Sequence, residues 1–311
     1  MKRLCLLLTL ATAALIPMAA QKSKNPFAGR WDITITAPNG SYPDWMELAD
    51  ENGTPAVRIQ PRGGSVHPAA AVKMDGSHLL ITVSAATARA PELTWDLTVS
   101  QDRLTGTQKR GDATAQIAGV RAPALKRSAP KAWSAPESIF NGKDLSGWEP
   151  DKPEINHWMA KDGVLLNEAH GANIRTTRKF DDFKLHIELN CPEEGNSGVY
   201  LRGRYEMQVE YEKPGTEDAF HSMGSIYGFL APKVEMPRKA GQWETFDITF
   251  IGRNVTIVRD GVTTIDRQEI PGITGGALDS NEGEPGPFYI QGDHTGGIMF
   301  RNITVAVPKK N

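Results

Sequence analysis

The chain has 311 residues, with 35 basic side chains against 37 acidic ones and 39% hydrophobic residues, which is length enough for two ordinary domains with cores of their own. No extended basic patch interrupts this near-neutral balance, so nucleic acid is excluded as an expected partner, and beyond the N-terminal leader no stretch is long and apolar enough to span a bilayer. The 30 glycines and 21 prolines suit many short strands and turns, and the fold class expected is all-β.

Met1 to about Ala20 has a basic start (Lys2, Arg3), an apolar run (Leu4–Ile16) and a small-residue end (Ala19, Ala20). That is the pattern of a cleaved export signal, so residues 1–20 are read as a signal peptide and the protein as exported, periplasmic or secreted. Cys5 lies inside the apolar run and not at its end, which argues against a lipid-modified cysteine. Loss of the leader leaves 33 basic residues against the 37 acidic ones, a formal net charge of −4. Cys191 is then the last cysteine, so an intrachain disulfide and a Cys-rich metal site are both excluded. It closes an apolar segment before Pro192 and reads as a plain strand-end residue.

After the polar stretch 21–25, Trp31, Ile33 and Ile35 alternate with Asp32, Thr34 and Thr36, the pattern of a half-buried strand. Similar short runs follow at Trp45–Leu48, Ala56–Gln60, His78–Val83, Glu92–Ser100 and Arg103–Lys109, with turn signals such as Pro38-Asn39-Gly40, Glu51-Asn52-Gly53 and Asp75-Gly76 between them. Strands at this spacing predict a small antiparallel β-barrel or sandwich over residues 25–125, and the opening Gly29-Arg30-Trp31 weakly resembles the first strand of lipocalin-like barrels. His67 and His78 have no partner at metal-ligand spacing and read as solvated. Residues 126–137 belong to a Pro/Ala-rich stretch without periodicity and read as a semi-stiff linker.

In the C-terminal half, Phe183, Leu185, Ile187 and Leu189 alternate with Lys184, His186 and Glu188, and Phe246, Ile248 and Phe250 with Asp247 and Thr249. These are strands with one dry face. Tyr289, Gln291 and Asp293 share one parity, and Met299, Arg301, Ile303, Val305 and Val307 form another run of one parity. The stretch GNSGVYLRGRYEMQVE (Gly195–Glu210) reads as two short strands joined by a Gly-Arg corner. Its second strand puts Tyr205, Met207 and Val209 on one face and Glu206, Gln208 and Glu210 on the other. A row of Glu, Gln and Glu beside Tyr200 and Arg202 suits a hydroxyl-rich ligand and supplies a proton acceptor; a solvated sheet face is the alternative.

The phrases FNGKDLSGW (Phe140–Trp148), W-x-x-x-DGVL (from Trp158), DDFKLHIEL (Asp181–Leu189), GNSGVYLRGRYEMQVE, Ile226-Tyr227-Gly228 and FRNITV (Phe300–Val305) occur in that order. In this order they resemble the 3-keto-disaccharide hydrolase family, over residues 138–308 and not over the N-terminal half. The resemblance implies a concanavalin A-like β-sandwich (jelly roll) of two curved sheets, with a saccharide site on the concave face. It implies action on glycosides whose C3 hydroxyl is oxidised to a ketone. The ketone acidifies C2–H, a base removes that proton, the C1 substituent leaves, and water adds for net hydrolysis. Such chemistry needs a base and an electrophile for the enolate oxygen, not the paired carboxylates of ordinary glycosidases. Some family members use a divalent metal ion as that electrophile; no organic cofactor is implied.

On this resemblance the base is His294, in Gln291-Gly292-Asp293-His294, with Glu206 as the alternative base and Arg202 as enolate stabiliser. Asn196, Ser197, Tyr200, Gln208, Tyr227 and Gln291 are the expected substrate-binding residues, Tyr200 and Tyr227 as stacking platforms. Arg301 reads as part of a structural pair, and His221, in the 215–223 loop, as solvent-exposed unless that loop covers the site. The alternative function is a non-catalytic, lectin-like carbohydrate-binding protein, since the same sandwich serves both. A third is an accessory protein that docks on an envelope partner through its N-terminal domain.

Overall fold

The computed structural model describes residues 25–51, 54–60, 64–85, 91–216 and 218–309. The leader at 1–20, most of the polar stretch after it and the turn at Asn52-Gly53 lie outside them. The chain is all-β, and the 3₁₀ turn Pro153–Ile155 is the sole helical element among the described residues.

The N-terminal half forms one nine-stranded antiparallel sheet. Consecutive strands pair in order, and Ala113–Arg121, a strand the spacing of the sequence signals did not reveal, returns to pair with Gly29–Ala37. The sheet thereby curls into an up-and-down barrel whose open seam lies between His67–Pro68 and Ala71–Asp75. Its interior is filled by Trp31, Ile33, Ile35, Met46, Leu48, Trp95, Leu97 and Leu104. The strand Gly40–Glu51 shows what alternation does here: Asp44 and Met46 share the inward parity, so Trp45 points out. Trp45 is nevertheless fully buried, because it inserts into the core of the C-terminal half, edge-on to Phe229 with ring centroids 5.3 Å apart. Gly272 makes room for it; a Cβ there would lie 2.1 Å from the indole Nε1.

The C-terminal half stacks an eight-stranded antiparallel sheet on a five-stranded one. Phe183, Leu185, Ile187, Phe246, Ile248, Phe250 and Phe300 from the larger sheet meet Val199, Leu201, Tyr205, Met207, Val209 and Ile290 from the smaller in one core. The simple parity expected for Met299 to Val307 fails. A bulge, with Asn302 at φ 49°, shifts the register against Phe183–Asn190, so Phe300 and Ile303 both reach the core. Arg301 is left at the surface, paired with Glu188 at 2.7 Å and lying over Trp243.

The stretch read as a linker is pinned along the sandwich. Ser134 donates its N–H to the carbonyl of Val307, Trp133 bridges Pro308, and Arg127 pairs with Asp181 and Asp182. At the seam between the halves, Arg30 pairs with Glu269, and Asp32 lies against Glu282, which also binds Arg253 at 3.0 Å. The barrel is thus fastened to the sandwich by an inserted tryptophan, ion pairs and a docked connection. Cys191 is buried, and burial pushes its thiol up to about 12, in keeping with a structural residue. Among the described residues no helix is long and apolar enough to cross a membrane.

Candidate active site

The hairpin of Asn196–Leu201 and Tyr205–Glu210 belongs to the five-stranded sheet, beside Tyr289–Ile290. Its inward residues build the core. Its outward residues line a cavity of about 480 Å³, closed over by the 221–227 segment, by Gly275-Gly276 and by Ser65 of the barrel. The register sets Tyr200 opposite Glu206, Gly198 opposite Gln208 and Asn196 opposite Glu210, so these side chains share one face. Gly198 is needed there, since a Cβ would lie 2.1 Å from Glu206 Oε1.

Glu206 is the chemical centre. It is 3% exposed, and burial first, then the charges of Glu210 and Asp293, push its carboxyl up to about 8 against the opposing bond from Tyr200. The Tyr200 hydroxyl lies 2.9 Å from Glu206 Oε2 and 2.7 Å from the Gly275 carbonyl, with one proton to donate between them, and it accepts from Gln291 Nε2 at 2.7 Å. Two further acceptors are open: Gln208 Oε1 and Gln291 Oε1 are buried without a hydrogen-bond partner, and both residues line the cavity. A buried carbonyl oxygen left unpaired costs about 1–3 kcal/mol, so these two leave bonding capacity unused in the cavity wall.

At the cavity wall His294 Nδ1 lies 3.0 Å from Asp293 Oδ1. That hydrogen bond, together with the Asp293 charge, raises the imidazole above its ordinary value. Burial alone would raise Asp293, but the bond and charge of His294 outweigh it and hold the carboxylate below the usual range. The pair therefore favours an imidazolium.

Of the residues expected from the sequence, His294, Glu206, Asn196, Tyr200, Gln208, Tyr227 and Gln291 converge on this cavity. Arg202 does not. It sits at the hairpin tip with φ 56°, fully buried, its guanidinium held by the carbonyls of Gly252, Glu282 and Glu284, so it is a structural residue and no enolate stabiliser. Ser197 faces the other way and donates its hydroxyl to the Gln291 carbonyl at 2.8 Å, positioning that residue instead of touching a sugar. Tyr200 is fully buried against Tyr289, so it contributes its hydroxyl and no stacking face. Sequence reasoning did not assign a site role to Asp293 or Ser65; Glu210 belongs to the Glu-Gln-Glu row read as suited to a hydroxyl-rich ligand, and His221, read as solvent-exposed unless its loop covers the site, lines the cavity. Asp293 was within reach, sharing its parity with Gln291. For Ser65, which lies in the other half of the chain, no sequence signal exists. Among the described residues no three His, Cys, Asp or Glu side chains form a group able to hold a metal ion. A larger cavity of about 600 Å³ shares Glu210 and Glu212 with this one, but it is walled by Val234, Met236 and Pro237 and contains no imidazole.

One family model, described as a 3-keto-alpha-glucoside-1,2-lyase-like domain, matches residues 135–306, more than half of the chain. The chain belongs to that family. The match holds every cavity residue named above except Ser65. Membership of the 3-keto-alpha-glucoside-1,2-lyase-like family gives the chain a carbohydrate-active role in general. Among solved structures it is similar to a "putative glycosyl hydrolase" from Parabacteroides distasonis, at 28% identity over 58% of this chain and 92% of that one, with a TM-score of 0.48. A second such protein from the same organism is 22% identical over 55% of this chain and 98% of that one, with a TM-score of 0.42. The carbohydrate-binding module CBM66 from Bacillus subtilis is 13% identical over 51% of this chain and 94% of that one, with a TM-score of 0.33. No curated protein matches the chain.

Proposed function

We propose that the protein is an exported enzyme that cleaves 3-keto-glycosides by elimination across C1–C2 followed by hydration. The observation that carries this reading is a buried carboxyl with its pKa near 8, on the floor of a polar cavity between two unpartnered amide oxygens. Ionised Glu206 takes the C2 proton, a role suited to a group poised near neutral pH. The C2–H electron pair passes into the enolate, whose C3 oxygen is stabilised by the His294 imidazolium held by Asp293. The enolate collapses to a C1=C2 double bond, and the C1–O pair leaves with the aglycone. Water then adds at C1 while protonated Glu206 returns its proton to C2. The roles expected for His294 and Glu206 are thus exchanged. The reason is electrostatic: Asp293 favours the proton on the imidazole, whereas burial and the neighbouring acids make Glu206 a stronger base than an ordinary carboxylate. Gln208 Oε1 and Gln291 Oε1 accept sugar hydroxyls. The family description, which names a 1,2-lyase, supports the same bond changes.

The lectin alternative draws less support, since Tyr227 is the one partly exposed aromatic among the described residues of the cavity wall, and acids and imidazoles surround it. The test is incubation of the mature protein with 3-keto-trehalose, with sugar release followed by chromatography. Release that disappears in Glu206→Gln is expected; saturable binding without release would replace this reading by the lectin.

A further inference from the structure

Elimination leaves one requirement unmet by Glu206 and His294: a sugar or alkyl alkoxide is a poor leaving group unless a proton reaches the glycosidic oxygen. The barrel supplies a group for it. Ser65 Oγ is hydrogen-bonded to His221 Nε2, and His221 Nδ1 lies 3.2 Å from Asp218 Oδ2. Asp218 is itself fixed, its Oδ1 accepting the Phe220 N–H at 2.8 Å and its own N–H bonding Glu212 at 3.0 Å. The Tyr227 ring stands 4.8 Å from the His221 ring, edge to face. Ser65, His221 and Tyr227 all line the cavity that holds Glu206, and the Tyr227 N–H is bonded to the Glu206 carbonyl at 3.1 Å, tying this wall to the base.

Two features show that the approach is built. Gly228, with φ 71°, lies so close under the barrel that a Cβ would meet the Ser65 backbone at 3.3 Å. The inserted Trp45 and the Arg30–Glu269 pair fasten the barrel in place beside it. A serine, an imidazole and a carboxylate in sequence form a unit in which the carboxylate orients the ring and the ring exchanges a proton with the hydroxyl.

We propose that Asp218, His221 and Ser65 form a proton relay across the two halves of the chain, Ser65 being the catalytic residue that protonates the departing glycosidic oxygen. This rests on the 3-keto-glycosidase reading above. As the C1–O bond breaks, its electron pair takes the Ser65 proton, and Ser65 takes the Nε2 proton of the His221 imidazolium, leaving a neutral ring whose Nδ1–H is held by Asp218. In the hydration step the traffic reverses: the incoming water gives a proton through Ser65 to His221 while Glu206 returns its own to C2, and the enzyme is restored. His221 and Asp218 are positioning residues that act through the serine.

The experiment compares two 3-keto-glucosides, one with a p-nitrophenolate leaving group that departs unprotonated and one with a methyl or glucosyl group that cannot. Ser65→Ala and His221→Ala are expected to lose about 100-fold in kcat/KM on the alkyl or glycosyl substrate and only a few-fold on the nitrophenyl one. Retained nitrophenyl turnover in the same sample reports an intact fold. Equal losses on both substrates, or no loss on either, would overturn the relay. Wild-type protein inert towards both would instead overturn the 3-keto-glycosidase reading beneath it.

Discussion

The tip and the stem of one hairpin treat buried polar groups in opposite ways. At the tip, Arg202 is fully buried and three carbonyls receive its guanidinium. Its neighbour Arg204 pairs with Asp279 and with the carbonyl of Glu284. Four residues along the stem, Glu206 and Gln208 are almost as deeply buried, yet the carboxyl is raised to about 8 and the amide oxygen has no partner. Both regions are charged or polar and both are dry. What separates structure from site is the cavity: the tip ties chain to chain through its guanidinium, Nε alone unpaired, and lines no part of it, whereas the stem keeps bonding capacity in the cavity wall.

This contrast breaks most visibly at Glu206. Glu206→Gln should lower kcat by roughly 10²–10⁴-fold while calorimetric binding of a 3-keto-sugar persists and the melting temperature holds or rises, since a raised carboxyl is a strained one. In the unmodified enzyme the pH profile of kcat/KM should be a bell, rising about tenfold per pH unit on its acid limb as Glu206 ionises and falling on its alkaline limb as the His294 imidazolium loses its proton; a rise already complete by pH 6 would remove Glu206 from that role. Arg202→Ala should do the reverse of Glu206→Gln. Three carbonyls lose their donor, and chemical denaturation should report a loss on the order of 3 kcal/mol, with kcat of the folded fraction changed little. Gln291→Ala lies between the two: it removes one open acceptor and the donor to Tyr200, and steady-state kinetics should show KM raised about tenfold with a smaller change in kcat.

The last effect concerns the seam between the halves and is spread over pH. Burial and then the neighbouring Glu282 push Asp32 up to about 9. A carboxyl raised above its unfolded value near 4 contributes stability that is complete at low pH and is lost as pH rises through the folded pKa, because the folded state holds a proton that the unfolded chain releases. Melting temperature should therefore decline from about pH 5 towards pH 9, and Asp32→Asn should flatten that decline by at most about 1.4 kcal/mol per pH unit. A pH profile identical in the two proteins would show that Asp32 is not the group responsible.

Much of the sandwich was legible in advance, because alternation within Phe183–Asn190 and Trp243–Ile251 reports which face is dry whatever the partner strand turns out to be. The same logic assigned Glu206, Gln208 and Glu210 to one face. It could not say that this face is covered, and so a row readable as a solvated edge became the floor of a cavity. Parity failed at Asn302, where a bulge inserts one residue, and it gave no warning about Trp45, whose burial depends on the other half of the chain. Arg202 was misread for a related reason: chain proximity to Glu206 does not reveal that a left-handed turn swings its side chain into three carbonyls.

The sequence by itself determined the all-β class, the order of motifs that marks the family, and most side chains of the cavity floor, because side-chain direction along a strand is a local property of the pleat. Only the tertiary structure decided the state of those side chains. Burial raised the Glu206 carboxyl, the partnering of Asp293 turned His294 towards a cation, and the docking of the barrel brought Ser65 to His221 across 156 residues of chain. Desolvation and through-space contact depend on everything that packs around a group, and neither is written in the residues next to it.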